Sequence, residues 1–107
     1  MNAEQRNNII ERDNYTCQKC GATPGYDNLQ IAHRLGNNKR AMRHIENFLE
    51  LHYKKTLTKK FIQEKIIDNE LDVVTTCSLE CNASFNLFFR PVERDELLTK
   101  IIEEVKE

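Results

Sequence analysis

Residues 72–82, DVVTTCSLECN, set the fold of this chain, because a β-branched run passes directly into a close cysteine pair. Asp72-Val73-Val74-Thr75-Thr76 reads as a short strand, since its branched side chains pack well on a pleated surface. Cys77 and Cys81 follow as C-x3-C, and a second pair, Cys17 and Cys20, stands far upstream as C-x2-C in YTCQKCG, residues 15–21. Two close pairs separated by 56 residues are what a tetrahedral Zn²⁺ site takes. Each pair forms a knuckle, and the fold brings the two knuckles onto one ion. Gly21 allows the backbone to turn with positive φ just after Cys20. Four thiolates leave no open position for water, so the expected zinc is structural. Disulfides and a redox Cys-x-x-Cys are the other chemistries open to these residues. The expected compartment is cytoplasmic, where disulfides are rare, and no βαβ pattern surrounds Cys17 and Cys20.

The chain has 107 residues, 39% hydrophobic and 31% charged, with Gly 3 and Pro 2. That length suits one domain, and the balance excludes collagen-like or Gly/Ser-rich disordered classes. No apolar run is long enough to span a membrane, and the first residues carry Glu4 and Arg6 rather than an apolar signal core. Residues 13–36 hold few large apolar side chains, so metal binding is expected to supply folding energy that a core does not.

Working outward from the knuckles, residues 3–12 read as a helix presenting Ile9 and Ile10, broken by Asp13-Asn14. Residues 29–33, LQIAH, alternate apolar and polar and read as a strand ending in His33. Residues 39–69 hold two helical patterns, one through Ala41, Ile45, Phe48 and Leu49, the other through Leu57, Phe61, Ile62 and Ile66, with a break near 56–58. A helix is expected over 78–89, with Phe85, Phe88 and Phe89 packing it on the strands. Another is expected over 92–107, with Leu97, Leu98, Ile101, Ile102 and Val105 on its face. His44 and His52 have no partner at metal-ligating spacing and read as ordinary helix residues.

Taken together, YTCQKCG (15–21), LQIAHR (29–34) and DVVTTCSLECN (72–82) resemble, in order, the three blocks of zinc-containing HNH endonucleases, members of the ββα-metal or His-Me finger nucleases. The resemblance covers about residues 9–90. It implies an α+β fold: a small ββα-metal core stapled by a four-cysteine zinc site, with a helical basic insertion over 39–69 and an added C-terminal helix, all in one domain, 1–107. It also implies a metal-dependent DNA endonuclease that leaves 5′-phosphate and 3′-hydroxyl ends. His33 matches the family's general base, and imidazole suits that work because its ordinary pKa lies near neutrality. Asn82 matches the position that ligates one divalent ion, and its amide oxygen suits Mg²⁺ or Mn²⁺. Asp72 matches the middle position, which braces the loop and orients the histidine. Two letters depart from the pattern. Ala32 stands where many members place a second ligand, and Asp72 stands in place of Asn. The other ligand candidates are Asp72 itself and Asn86, one turn after Asn82 on the expected helix.

The net charge of −1 conceals a partition. Residues 39–65 hold eight basic against three acidic side chains, whereas 93–107 hold three basic against six acidic. The basic run, with Arg34, Lys39, Arg40, Arg43, Lys54 and Lys55, is the expected phosphate-contacting surface for DNA, with RNA as an alternative. Two further readings fit the same letters. One is a lapsed HNH-like zinc domain that binds nucleic acid without cutting. The other is a zinc-stabilised protein-interaction module.

Overall fold

Asn2 opens the first helix with a reciprocal cap. Its side-chain oxygen accepts the Gln5 N–H at 2.8 Å, and the Gln5 side chain accepts the Asn2 N–H at 3.0 Å. Helix α1 runs Ala3–Arg12 and buries Ile9 and Ile10. Asn14 and Tyr15 then take positive φ, 59° and 54°, which turns the chain out of the helix. This computed structural model describes residues Met1–Val105.

Strands β1 (Gln30–His33) and β2 (Val73–Thr76) pair antiparallel, with Ile31 opposite Thr75 and His33 opposite Val73. The ladder runs one step further, as the Arg34 N–H donates to the Asp72 carbonyl at 2.9 Å. Side chains alternate along a strand, so Ala32 faces away from His33; it is buried. The outer edge of β2 is occupied. Asp13 Oδ2 accepts the Thr75 N–H, the Thr75 carbonyl accepts the Gln18 N–H, and the Arg12 guanidinium donates to the Val73 carbonyl, all within 2.8–2.9 Å. These contacts cover much of the outer edge of β2.

Between the strands the chain leaves the sheet as α2 (Lys39–Tyr53), capped by the Asn38 side chain on the Ala41 N–H, and α3 (Lys59–Ile62), capped by Thr58 on the Phe61 N–H. The α3 path widens into a π-helical turn over Gln63–Ile67. After β2, Ser78 caps the short α4 (Leu79–Ser84), and Pro91 opens α5 (Pro91–Glu104). Among the described residues the architecture is therefore α+β, five helices with one two-stranded sheet. The main apolar cluster draws no residue from the sheet: Ile45, Phe48 and Leu49 come from α2, Ile62, Ile66 and Ile67 from the α3–π segment, and Leu98, Ile101 and Ile102 from α5. No helix among the described residues is long and apolar enough to cross a membrane.

Two expected helices change at their ends. The last is observed over Pro91–Glu104, and its expected terminal residues Lys106 and Glu107 lie outside the described residues. The helix expected over 78–89 stops at Ser84. Tertiary and local partners take its next amide groups: the Leu87 N–H goes to the Arg34 carbonyl at 2.9 Å, and the Phe88 N–H to the Asn86 side chain at 2.7 Å.

Candidate functional site

The two cysteine knuckles meet. The Cys17 carbonyl accepts the Gly21 N–H at 2.9 Å, Gly21 takes φ 80°, and the Cys17 N–H closes onto the Ala22 carbonyl at 2.8 Å. The second knuckle is shaped by Ser78, whose Oγ accepts the Cys81 N–H at 3.1 Å. All four Sγ atoms lie within 4.8 Å of one another, with Cys20 to Cys77 at 3.4 Å and Cys77 to Cys81 at 3.9 Å. A disulfide needs about 2.0 Å. A tetrahedron with metal–sulfur bonds of about 2.3 Å spaces its sulfurs about 3.8 Å apart. The spacing therefore suits four thiolates around one metal ion. Protonation points the same way. Burial works against ionising Cys17, but the backbone N–H groups of Cys20 and Lys19 outweigh it and bring the thiol down to about 6. Cys77, hydrogen-bonded by Cys20 and Cys17, is pushed up to about 12. Clustered thiols resist successive ionisation, and a bound dication removes that resistance.

His33 sits at the end of β1, mostly buried. Its Nε2 lies 3.0 Å from Asp68 Oδ1. Asp68 follows the π-helical turn and is buried in a ring of donors: Gln63 Nε2 at 3.1 Å and the Met1 α-ammonium at 3.2 Å complete its contacts. Burial works to raise its carboxyl, yet the hydrogen bonds from His33, the Met1 ammonium and Gln63 prevail and hold it below the ordinary carboxylate range. An ionised Asp68 accepts from Nε2–H, which in the neutral ring leaves Nδ1 as the acceptor nitrogen. Nδ1 has no hydrogen-bond partner among the described residues.

This assigns the histidine a different partner from the expected one. Asp72 does not orient the His33 ring. It is fully buried, with Oδ1 accepting the Leu35 N–H at 2.7 Å and Oδ2 without a partner. Its main-chain and side-chain contacts to Arg34 and Leu35 hold the turn after His33. Asp68 escaped the sequence reading because it lies 35 residues from His33. It is one of three carboxylates, with Glu70 and Asp72, between the π-helical turn and β2, and the letters alone do not single it out.

Asn82 on α4 packs against β1, donating from Nδ2 to the Ile31 carbonyl at 3.3 Å, which leaves Oδ1 without a partner among the described residues. No hydrogen bond joins Asn82 to His33 among those residues. Asn86 does not share a helical face with Asn82, because α4 has already ended, and its Oδ1 is taken by the Phe88 N–H. Among the described residues, the four cysteines are the one group of three or more His, Cys, Asp or Glu side chains at metal-ligating spacing.

The six basic residues divide. Lys39 and Arg43 line a groove of about 400 Å³ with Asn37 and Gln63. Gln63 Nε2 reaches both Asn37 and Asp68 at 3.1 Å, so a continuous polar chain joins this groove to His33. Arg34 and Arg40 lie over Phe85 and Phe88, at 5.7 and 3.8 Å from the ring centroids. Lys54 and Lys55 stand past the far end of α2, about 22 Å from its start, and do not join this patch. None of the six makes an ion pair among the described residues; Lys59 is paired with Glu46 instead. The phenylalanines also depart from expectation. Phe89 is 88% exposed and Phe85 and Phe88 are half-buried, because the helix that was to bury them ends at Ser84.

A scan of protein-family models, a search of curated proteins and a search of solved structures each give no match.

Proposed function

We propose that the chain is a small HNH-type endonuclease that hydrolyses phosphodiester bonds in DNA, with His33 as its general base. The observation that carries this reading is the His33–Asp68 pair. A carboxylate fixed on Nε2 selects the tautomer whose Nδ1 can take a proton from water, and it stabilises the imidazolium that results. Asp72 keeps the following turn in place, so the ring is held from both its strand and its loop. The groove lined by Lys39 and Arg43 offers phosphate contacts that position a strand without reading its sequence.

Zn²⁺ fits Cys17, Cys20, Cys77 and Cys81 as a closed structural site in this reading, with the ββα-metal core built around it. Asn82 Oδ1 is the oxygen this chain offers to Mg²⁺ or Mn²⁺, ions that keep most of their waters and take further oxygens from substrate phosphate. Bound there, such an ion would polarise the scissile phosphate and neutralise the leaving 3′-oxygen. The chain supplies that site sparingly, since Ala32 faces the interior and Asn86 is engaged. This favours, as a second reading, a domain that binds nucleic acid without cutting.

Supercoiled plasmid with Mg²⁺ or Mn²⁺ separates the two. The wild type is expected to nick it, and His33→Ala to abolish nicking. Nicking by both proteins, or by neither, removes the endonuclease reading; salt-sensitive binding without nicking establishes the second.

A further inference from the structure

The loop between α4 and α5 displays aromatic rings that the mechanism above does not use. Its backbone is pinned: the Leu87 N–H donates to the Arg34 carbonyl at 2.9 Å, the Arg90 N–H to the Leu87 carbonyl at 2.9 Å, and the Phe88 N–H to the Asn86 side chain at 2.7 Å. Leu87 is buried and anchors the loop in the protein. From this fixed base Phe89 projects with 88% of its surface exposed, its ring edge-on to Phe88 at 4.7 Å between centroids. The Arg40 guanidinium lies 3.8 Å over Phe88 and has no ion pair among the described residues. A large aromatic held out in water on an ordered loop has an unused π face. The cation beside it suits a polyanion rather than an apolar partner.

We propose that Phe89, with Phe88 and Arg40 behind it, is a stacking ledge for an unpaired nucleobase, and that the nucleic acid this protein engages is single-stranded at this point. Aromatic faces accept any base by stacking, and an adjacent guanidinium adds both stacking area and charge for the phosphate. The hydrogen bond from Leu87 to Arg34 ties the ledge to the residue after His33. A base held there therefore fixes the strand relative to the histidine. This inference rests on the nucleic-acid reading above but not on cleavage. It requires an unpaired base, because the faces of paired bases are covered by their neighbours in the duplex.

The test is fluorescence anisotropy of the zinc-loaded protein, without added Mg²⁺ or Mn²⁺, on a short oligothymidylate and on a duplex of equal length. Phe89→Ala is expected to weaken oligothymidylate binding by about 5- to 100-fold and to leave duplex binding unchanged. Phe89→Tyr is expected to retain single-strand binding, and Phe89→Leu to lose it, since leucine keeps apolar bulk but no π face. An oligonucleotide carrying 2-aminopurine is expected to lose emission on binding the wild type but not Phe89→Ala. Equal weakening on duplex and single strand, restoration by leucine, or no change in either ligand overturns the ledge. The exposure of Phe89 makes misfolding of these variants easy to exclude by far-UV circular dichroism. Loss of oligothymidylate binding in Phe89→Ala, alongside unchanged nicking in His33→Ala, would support the ledge while removing the endonuclease.

Discussion

Asp72→Asn is expected to stabilise this protein, by an amount that grows with pH. Burial pushes the Asp72 carboxyl up to about 8, against the Leu35 N–H and the nearby Arg34 charge, which both pull it down. In the unfolded chain the same group loses its proton near pH 4. Between those values the folded state binds a proton that the unfolded state has released, so its stability falls as pH rises through this window. Each unit costs about 1.4 kcal/mol, which gives a penalty of about 4 kcal/mol at pH 7. Asparagine keeps the oxygen that accepts from Leu35 and never ionises. Its N–H replaces the carboxyl O–H beside the unpartnered Oδ2 position, so the desolvation of a donor is similar in both. Relaxation around a buried charge reduces such penalties, and the expected gain is about 2–4 kcal/mol at pH 7, falling to nothing near pH 4. Denaturant unfolding of both proteins at a series of pH values, with zinc present, measures the difference; taking the difference cancels the other titrating groups. A gain that does not vary with pH, or a loss throughout, would refute the reasoning.

Asp68→Asn keeps an oxygen for the His33 and Gln63 donors but removes the negative charge that stabilises the imidazolium formed when His33 takes a proton. Nicking is expected to fall by about 10²-fold or more in kcat, with DNA affinity unchanged. Because the Asp68 carboxyl is held low in the folded state, the stability it contributes is present above the ordinary carboxylate pKa and lost as pH falls through the folded value. The acid limb of unfolding is therefore expected to be shallower in Asp68→Asn. Metal analysis of the purified protein is expected to find one zinc ion per chain, and Cys77→Ala to retain under half of that. Structural zinc is worth about 10–16 kcal/mol in small zinc domains, so a chelator is expected to lower the melting temperature of the wild type sharply and that of Cys77→Ala little.

The metal cluster was legible because its signal is local: two short spacings and a glycine that must take positive φ. Helix α1 was legible for the same reason, with Asn2 before it and Asp13-Asn14 after it, and so was the α5 face through Leu98, Ile101 and Ile102. The misread features are those settled by partners distant in sequence. Helix α4 carries no breaking residue at 85, yet it ends because Arg34 takes the Leu87 amide. The His33 partner could not be chosen among nearby carboxylates until the β1–β2 register placed Asp72 below the turn and left Asp68 beside the ring. Exposure of Phe89 followed from the same shortened helix, since periodicity assumes that the helix continues.

The apolar cluster of α2, the α3–π segment and α5 shares no residue with the thiolate cluster. With a metal ion bound at the cysteines, stability in this chain would have two spatially separate sources, the metal site and the apolar cluster. Such a chain need not lose its structure in one step. Removing metal would release the knuckles and the strands they hold while the helical layer stays protected from hydrogen exchange. His33 belongs to the strand on the metal-dependent side and Asp68 to the segment on the other, so their pairing reports whether the two halves are joined.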